Sequence, residues 1–347
     1  MGVTESSTDS LPVSGSFFRE PRKWDEDGAE TLEQSGEARF KFRWKDVAAS
    51  VREQRNALCV LAHAQTYGYS MACDHGDSPV SIQLPQVPFI LSIHPTAFID
   101  PAAELGSDVS VGPFAVIEAN VRIGNGCKIH GHAQVLSGVT LGEECEVGHA
   151  SIIGGAPQDL GFDQAIPSGV QVGTKTIFRE HVTIHRSSVE GGKTIIGERN
   201  FFMGGTHAGH DCVVGDGNVL ANHALLAGHV QLGSHCFLGG GAGFHQFIRI
   251  GDRCMVKGLG RMSQDIPPYV IAGECNEVFG LNSIGLRRAG FSAETRLNLK
   301  AAFKLILSDG LLLKEALAAA ETMQWEAPAE TFLDFFRGES KKGICSR

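Results

Sequence analysis

From Ile93 onward the chain carries an aliphatic residue at every sixth position, and that period admits very few folds. Ile93, Ile99, Leu105, Val111, Ile117, Ile123, Ile129, Val135, Leu141, Val147 and Ile153 follow without a miss. Hydrophobic residues make up 42% of the chain, so such a run in one chosen register has a chance of about 1 in 10,000. After a break the step gives Val172, Phe178 and Ile184. It resumes at Ile196 and runs through Phe202, Ala208, Val214, Leu220, Leu226, Leu232, Leu238, Phe244, Ile250 and Val256 to Met262. The period matches neither a helix, at about 3.6, nor a strand of a hairpin sheet, at about 2. It matches a triangular solenoid with six residues to a side and three sides to a coil. Each aliphatic residue should point inward and stack on its counterpart one coil away, about 4.8 Å along the axis. Glycine often follows the aliphatic residue, and the chain has 43 glycines. Glycines and other small residues are expected at the corners, where positive φ is often needed.

Two interruptions break the period: Gly154 to Gly169 (GGAPQDLGFDQAIPSG) and Arg186 to Lys193 (RSSVEGGK). Both are expected to project as loops, and insertions in a repeat protein often mark its binding face. The solenoid should stop after Pro267-Pro268. Ser292 then reads as the N-cap of a helix ending near Gly310. LLLKEALAAAETMQW reads as a second helix and ETFLDFFRGE as a short third. The expected division is an extension over 1–88, a β-helix over 89–272, and a connecting segment with a helical domain over 273–347. In the extension the first thirty-odd residues are polar and read as unstructured. Lys45 to Ala64 reads as an amphipathic helix, and SPVSIQLPQVP as a linker.

The formal net charge of -9 argues against a nucleic-acid partner. The nine cysteines form no C-x-x-C pair and read as free thiols in a reducing compartment. No apolar run reaches the roughly 20 residues of a transmembrane span, and no secretory signal is evident. A cytoplasmic location is expected.

Histidines crowd the second half of the solenoid: His181, His185, His207, His210, His223, His229, His235 and His245. Taken one at a time, each suits a structural hydrogen bond or a subunit interface. His210 differs because Asp211 follows it: a carboxylate beside an imidazole can orient it and favour the imidazolium formed on proton abstraction. Three other readings stay open. Histidines contributed by two subunits can bind zinc, as in a trimeric zinc-dependent hydratase. Cys212 is a candidate nucleophile, although strand alternation points it inward. The solenoid can also be a scaffold without catalysis.

The segments SIHPTAFIDPAA, GPFAVI, GGAPQDL, VTIHRSS, HAGHDC, LANHALLAGHV, FHQF, QDIPPYVIAG and FGLNSIGLRRAGFS occur in this order. Together they resemble the UDP-N-acetylglucosamine O-acyltransferase family, over about residues 92–340. The resemblance implies a left-handed parallel β-helix with hexapeptide repeats, a small α-helical C-terminal domain and a homotrimer. It implies transfer of a 3-hydroxyacyl chain from acyl carrier protein to the 3-hydroxyl of UDP-N-acetylglucosamine, the first step of lipid A biosynthesis. No cofactor and no metal are implied. The general base falls on His210, with Asp211 orienting it and the Gly228 N–H facing the oxyanion. Gln158, Asp159, His207, His229, His245 and Gln246 fall on substrate-binding positions, and Asn282 and Arg288 on positions near the nucleotide phosphates. Gly258, in MVKG, falls on a position that limits acyl length, and a glycine there implies room for a longer chain.

Two departures concern the acceptor. Gly161 stands where the family loop usually has Lys, and Ala289 where Arg is common. Lys175, Arg179 and Lys257 are candidates to replace those charges. The departures keep a different nucleotide amino-sugar in view as acceptor.

Overall fold

The computed structural model describes residues 93–347. The expectations for residues 1–88, including the helix over 45–64 and the linker, lie outside the described residues. From residue 93 the chain winds into a three-sided parallel β-helix. Sheet 1 has nine strands, from Phe98–Ile99 to Arg261–Met262; sheet 2 has eight, from Glu104–Leu105 to Arg249–Ile250; sheet 3 has ten, from Ser110–Val111 to Glu277–Leu281. The period of six becomes the register. Ile99, Ile117, Val135 and Ile153 stand in line up sheet 1, and Ile184, Ala208, Leu226, Phe244 and Met262 continue the line.

These inward residues form the core. From Val111 to Met262 each is at most 3% exposed, and burying one such side chain contributes roughly 1.5–3 kcal/mol. Only the first coil is open, where Ile93 is 40% exposed. A second inward position lies two residues before each aliphatic and takes small side chains: Ala115, Val121, Cys127, Ala133, Cys145, Cys212, Ala224, Cys236 and Cys254 are all buried. Here the cysteines find their role. The thiols of Cys127, Cys145, Cys212, Cys236 and Cys254 donate to corner carbonyls of the next coil, at Gly142, Gly173, Ala227, Gly251 and Pro267. Thr176 Oγ1 and Asn200 Nδ2 do the same to Gly197 and Gly215. A buried carbonyl at a turn needs such a partner.

The glycines serve the expected end only in part: Gly126, Gly138, Gly205, Gly217 and Gly241 take the corner place with positive φ. The corner residue with positive φ lies three places after the inward aliphatic and is usually not glycine: Asn120, Asp211, His229, Phe247 and Arg253 all occupy it. Glycine is concentrated directly after the aliphatic, where coils touch. A Cβ at Gly209 would lie 2.7 Å from the Gly228 nitrogen, and one at Gly124 would lie 2.7 Å from that of Glu143. Close approach, and not left-handed backbone, selects glycine there.

Beyond Pro267-Pro268 sheet 3 ends in an antiparallel hairpin of Val270–Gly273 with Glu277–Leu281. Four helices follow: α1 (Ser283–Arg288), α2 (Ala293–Leu307), α3 (Leu313–Ala320) and α4 (Ala327–Arg337). Ser292 caps α2 by accepting from the Thr295 N–H at 3.0 Å, as its sequence suggests, and Gly310 adopts φ +73° beyond the helix end. The short α1 has no counterpart in the sequence reading. Its apolar face is too brief to show a period. The chain end returns to the coil, where Cys345 N–H donates to Asp265 O and Asp265 N–H to Gly343 O, both at 2.8 Å. No described helix is long and apolar enough to cross a membrane.

A candidate active site at one corner of the coil

Both insertions leave the solenoid at the same corner, between sheet 1 and sheet 2. The first departs after Ile152–Gly155 and re-enters at Gly169–Val172; the second departs after Thr183–His185 and re-enters at Lys193–Ile196. The coil that follows turns this corner with Gly209, His210 and Asp211. The period of six therefore stacks the two loops and the His-Asp pair on one edge of the molecule.

A groove of about 400 Å³ opens at this edge. Gln158 of the first loop, His185, His207, His210, Gly228 and Gln246 line it, with Leu225, Ala227, Gly243 and Phe244 as its apolar part. His210 is 19% exposed, and its Nδ1 lies 2.7 Å from Asp211 Oδ2. The other face of the ring meets Gly228, one coil up: a Cβ on Gly228 would sit 2.6 Å from His210 Nε2. Among the described residues the Gly228 N–H has no hydrogen-bond partner. The site thus pairs a carboxylate-oriented imidazole with an uncommitted backbone donor.

The second loop secures Asp211. Ser187 Oγ donates to Oδ1. Ser188 donates twice to Oδ2, from Oγ at 2.6 Å and from N–H at 3.1 Å. The Asp211 N–H in turn donates to Thr194 Oγ1 at 2.8 Å. Burial alone would raise the Asp211 pKa, but the hydrogen bonds from Ser187, Ser188 and His210 prevail and hold it at about 2. Burial depresses three neighbouring imidazoles. His185 falls to about 4, through burial first and then His207 and His210. His207 and His229 are lowered chiefly by burial as well. His207 Nδ1 is fixed by Thr183 Oγ1 at 2.8 Å, and its ring meets His185 edge-on at 4.8 Å between centroids.

His210, Gly228, Gln158, His207 and Gln246, all anticipated from sequence, come together here. Asp211 supports His210 from behind. His229 meets His210 edge-on at 5.0 Å but faces an adjoining cavity of about 380 Å³ with Gln231, Phe247, Arg249 and Lys341. His245 is exposed, its Nδ1 3.2 Å from Gln246 O. Asp159 is exposed and accepts from the Gly161 N–H of its own turn at 2.9 Å. Gly258 is exposed at the opposite corner of sheet 1, where a Cβ would lie 3.2 Å from Gly240 O. Asn282 lies outside the groove as the N-cap of α1, accepting from Gly285 N–H at 3.1 Å and donating to Arg253 O at 3.0 Å. Arg288 is exposed in the last turn of α1. The three candidate replacement cations are outside the lining too. Lys175 pairs with Glu144 at 3.5 Å, Arg179 pairs with Glu180 at 3.2 Å, and Lys257 sits 3.2 Å over the Phe279 ring.

His185, Ser187 and Ser188 belong to the site but were not singled out by sequence. His185 stands in the dense run of histidines, which was the available signal. The two serines lie in an aperiodic insertion, where no pattern marks them. The other chemistries also meet the geometry. Cys212 points inward, is fully buried, and has its pKa pushed up to about 12 by burial, which removes it as a nucleophile. The ligand atoms of His210, Asp211 and His229 lie within 4.8 Å of one another. However, the Asp211 carboxylate already accepts four hydrogen bonds, about the capacity of a carboxylate. A metal would have to displace them.

Comparison with known proteins gives a consistent picture. A family model described as Udp N-acetylglucosamine O-acyltransferase, Domain 2, matches residues 265–345, and one described as GMPPB C-terminal domain matches residues 93–199. The acyl-[acyl-carrier-protein]--UDP-N-acetylglucosamine O-acyltransferase of Paraburkholderia phymatum is 44% identical over 259 residues, 73% of this chain and 98% of that protein. Among solved structures, LpxA from Acinetobacter baumannii matches with a TM-score of 0.70 at 36% identity, over 74% of this chain and 100% of that one. The Arabidopsis UDP-N-acetylglucosamine acyltransferase matches with a TM-score of 0.67 at 34% identity, over 73% and 100%. With these relatives the hand of the coil is settled: the fold is a left-handed parallel β-helix with a small helical C-terminal part.

Proposed function

The chain belongs to the UDP-N-acetylglucosamine O-acyltransferase family, and from that premise we propose that it transfers a 3-hydroxyacyl chain from acyl carrier protein to the 3-hydroxyl of UDP-N-acetylglucosamine, with His210 as general base. His210 Nε2 takes the hydroxyl proton as that oxygen attacks the thioester carbonyl. The negative charge gathers on the former carbonyl oxygen, next to the Gly228 N–H; one such donor is worth about 10²–10³ in rate. Collapse of the tetrahedral species expels the carrier thiolate, which regains the proton from the His210 imidazolium. Asp211 holds the tautomer with Nδ1–H toward the carboxylate and stabilises the charged ring. His185, its pKa held at about 4 chiefly by burial, stays neutral beside His207 at neutral pH.

The observation that carries this reading is one imidazole between two fixed groups: Asp211 at 2.7 Å on Nδ1, and on the Nε2 side the Gly228 backbone, packed so closely that a Cβ there would lie 2.6 Å from Nε2, with an N–H that has no partner among the described residues. The test is an acyl-carrier-protein assay on wild type and His210→Ala. Loss of the base should cost about 10²–10⁴ in kcat, whereas undiminished turnover would refute it. Running UDP-N-acetylglucosamine beside its 3-amino analogue identifies the acceptor, the feature that Gly161 puts in question. The zinc hydratase reading predicts stoichiometric zinc in the purified protein.

A homotrimer completes the proposal. The outward residues of sheet 3 align as Ile177, Phe201, Val219, Phe237, Met255 and Ile271, and Phe237 and Met255 are 40% and 36% exposed. An apolar stripe of this kind supports burial against another copy. In a three-fold ring the stripe of one copy packs against a different face of the next; we take that face to be sheet 1, so that the neighbouring copy also walls the groove that His210 opens onto. We assign the catalytic coil to 89–272 and the connecting segment with the helical domain to 273–347, and place the reaction in the cytoplasm, where the proposed substrates reside.

A further inference from the structure

We propose that Ser187 and Ser188 are positioning residues for the reaction: the second insertion exists to hold the Asp211 carboxylate, and through it the tautomer and aim of His210. This rests on the reading of His210 as the base. Several contacts carry it. Ser187 is fully buried; its Oγ donates to Asp211 Oδ1 and accepts from the Val189 N–H at 3.0 Å. The hydroxyl is thereby fixed at both ends, so its proton can point only at the carboxylate. Ser188 supplies two donors to Oδ2, the oxygen that also receives His210 Nδ1. Thr194, on the strand that closes the same insertion, takes the Asp211 N–H.

The same insertion reaches the first loop. The Arg186 guanidinium donates to Gln164 O at 2.8 Å and to Ser168 Oγ at 3.0 Å, contacts Ile166 O, and lies 4.9 Å over the Phe162 ring. That loop carries Gln158 into the groove. Three consecutive residues, Arg186, Ser187 and Ser188, therefore tie the groove's loop wall to the carboxylate behind the base. An insertion kept only for its length would not direct three hydroxyl or amide donors onto one side chain.

The consequence is kinetic. Without the serine donors the carboxylate is free to rotate away from Nδ1, and burial then pushes its pKa upward. Protonation of Asp211 would break the bond to His210 at a pH where the wild type is intact. Wild type, Ser188→Ala, Ser188→Thr, Ser187→Ala/Ser188→Ala, His210→Ala and the triple variant should be compared with acyl carrier protein and UDP-sugar across pH. The double variant should lose about 10- to 100-fold in kcat, with KM changed by less than about threefold. Ser188→Thr, which keeps the hydroxyl, should stay near wild type. Adding the serine changes to His210→Ala should cause no further loss, because both act on one pathway. If the double variant keeps wild-type kcat, or its loss adds in full to that of His210→Ala, the positioning role is overturned while the base stands. If His210→Ala retains full activity, the base reading falls and takes this one with it. Should the double variant fail to fold, Ser188→Ala against Ser188→Thr decides the question, because Ser188 is only half-buried.

Discussion

At the scale of single residues, the site is built by proximity between neighbours one coil apart. Gly228 and His210 are the sharpest case. Gly228→Ala would put a methyl group 2.6 Å from Nε2, so the ring must move or the coil must spread. We expect a loss of at least about 100-fold in kcat with the folded state retained, measured by turnover beside a thermal melt. His185 makes a separate prediction about acid stability. Its folded pKa of about 4 lies below the ordinary 6.5, so the unfolded chain binds the proton first. Its contribution is complete above about pH 6.5 and is lost as pH falls toward 4, by up to about 3 kcal/mol. Urea midpoints for wild type and His185→Gln, followed from pH 7 to pH 4, should diverge in slope over that window. Gln158, His207, His210, Gly228 and Gln246 of the groove were legible beforehand because they fall in motifs. Asp211's serine partners were not, since a contact between an aperiodic loop and the coil above it leaves no spacing to read.

At the scale of elements, the repeat was readable because one physical demand, an inward apolar group every sixth residue, recurs for twenty-odd sides of the coil with two interruptions. The companion demand at the second inward position was hidden. It accepts Ala, Val, Thr, Asn and Cys alike, because what it must supply is small volume and often a donor for a carbonyl. The polar members should be measurably important. Asn200 donates to Gly215 O and accepts from the Asn218 N–H, both at 2.8 Å. Asn200→Ala would orphan both, at about 1–3 kcal/mol per buried group. Asn200→Cys should recover part of that loss in a denaturant titration, because cysteines at equivalent positions already bond the matching carbonyl. Glycine was read only in part from sequence for a related reason. Composition reports that glycine is abundant but not whether backbone dihedral or coil contact demands it. The short helix α1 was missed because six residues are too few for an apolar period, although Asn282 marks its start.

At the scale of the whole molecule, the proposed trimer ties stability to activity. Phe237→Asp would place a charge in the apolar stripe of sheet 3. We expect the assembly to dissociate to smaller species by sedimentation, and turnover to fall with it even though Phe237 is far from His210 in sequence. A variant that remains trimeric and fully active would remove the stripe from the interface.

The register of the coil also bears on how such a molecule can change its size. Aligned residues recur at eighteen, so a segment such as 109–126 could in principle be excised and leave every later side chain facing the direction it faces now. The proposed chemistry occupies only the few rungs from His185 to Gln246, together with the loops beside them. Rungs nearer Ile93 are spacers in a ladder, and a lineage could lengthen or shorten that end by whole turns while the reacting groups kept their places.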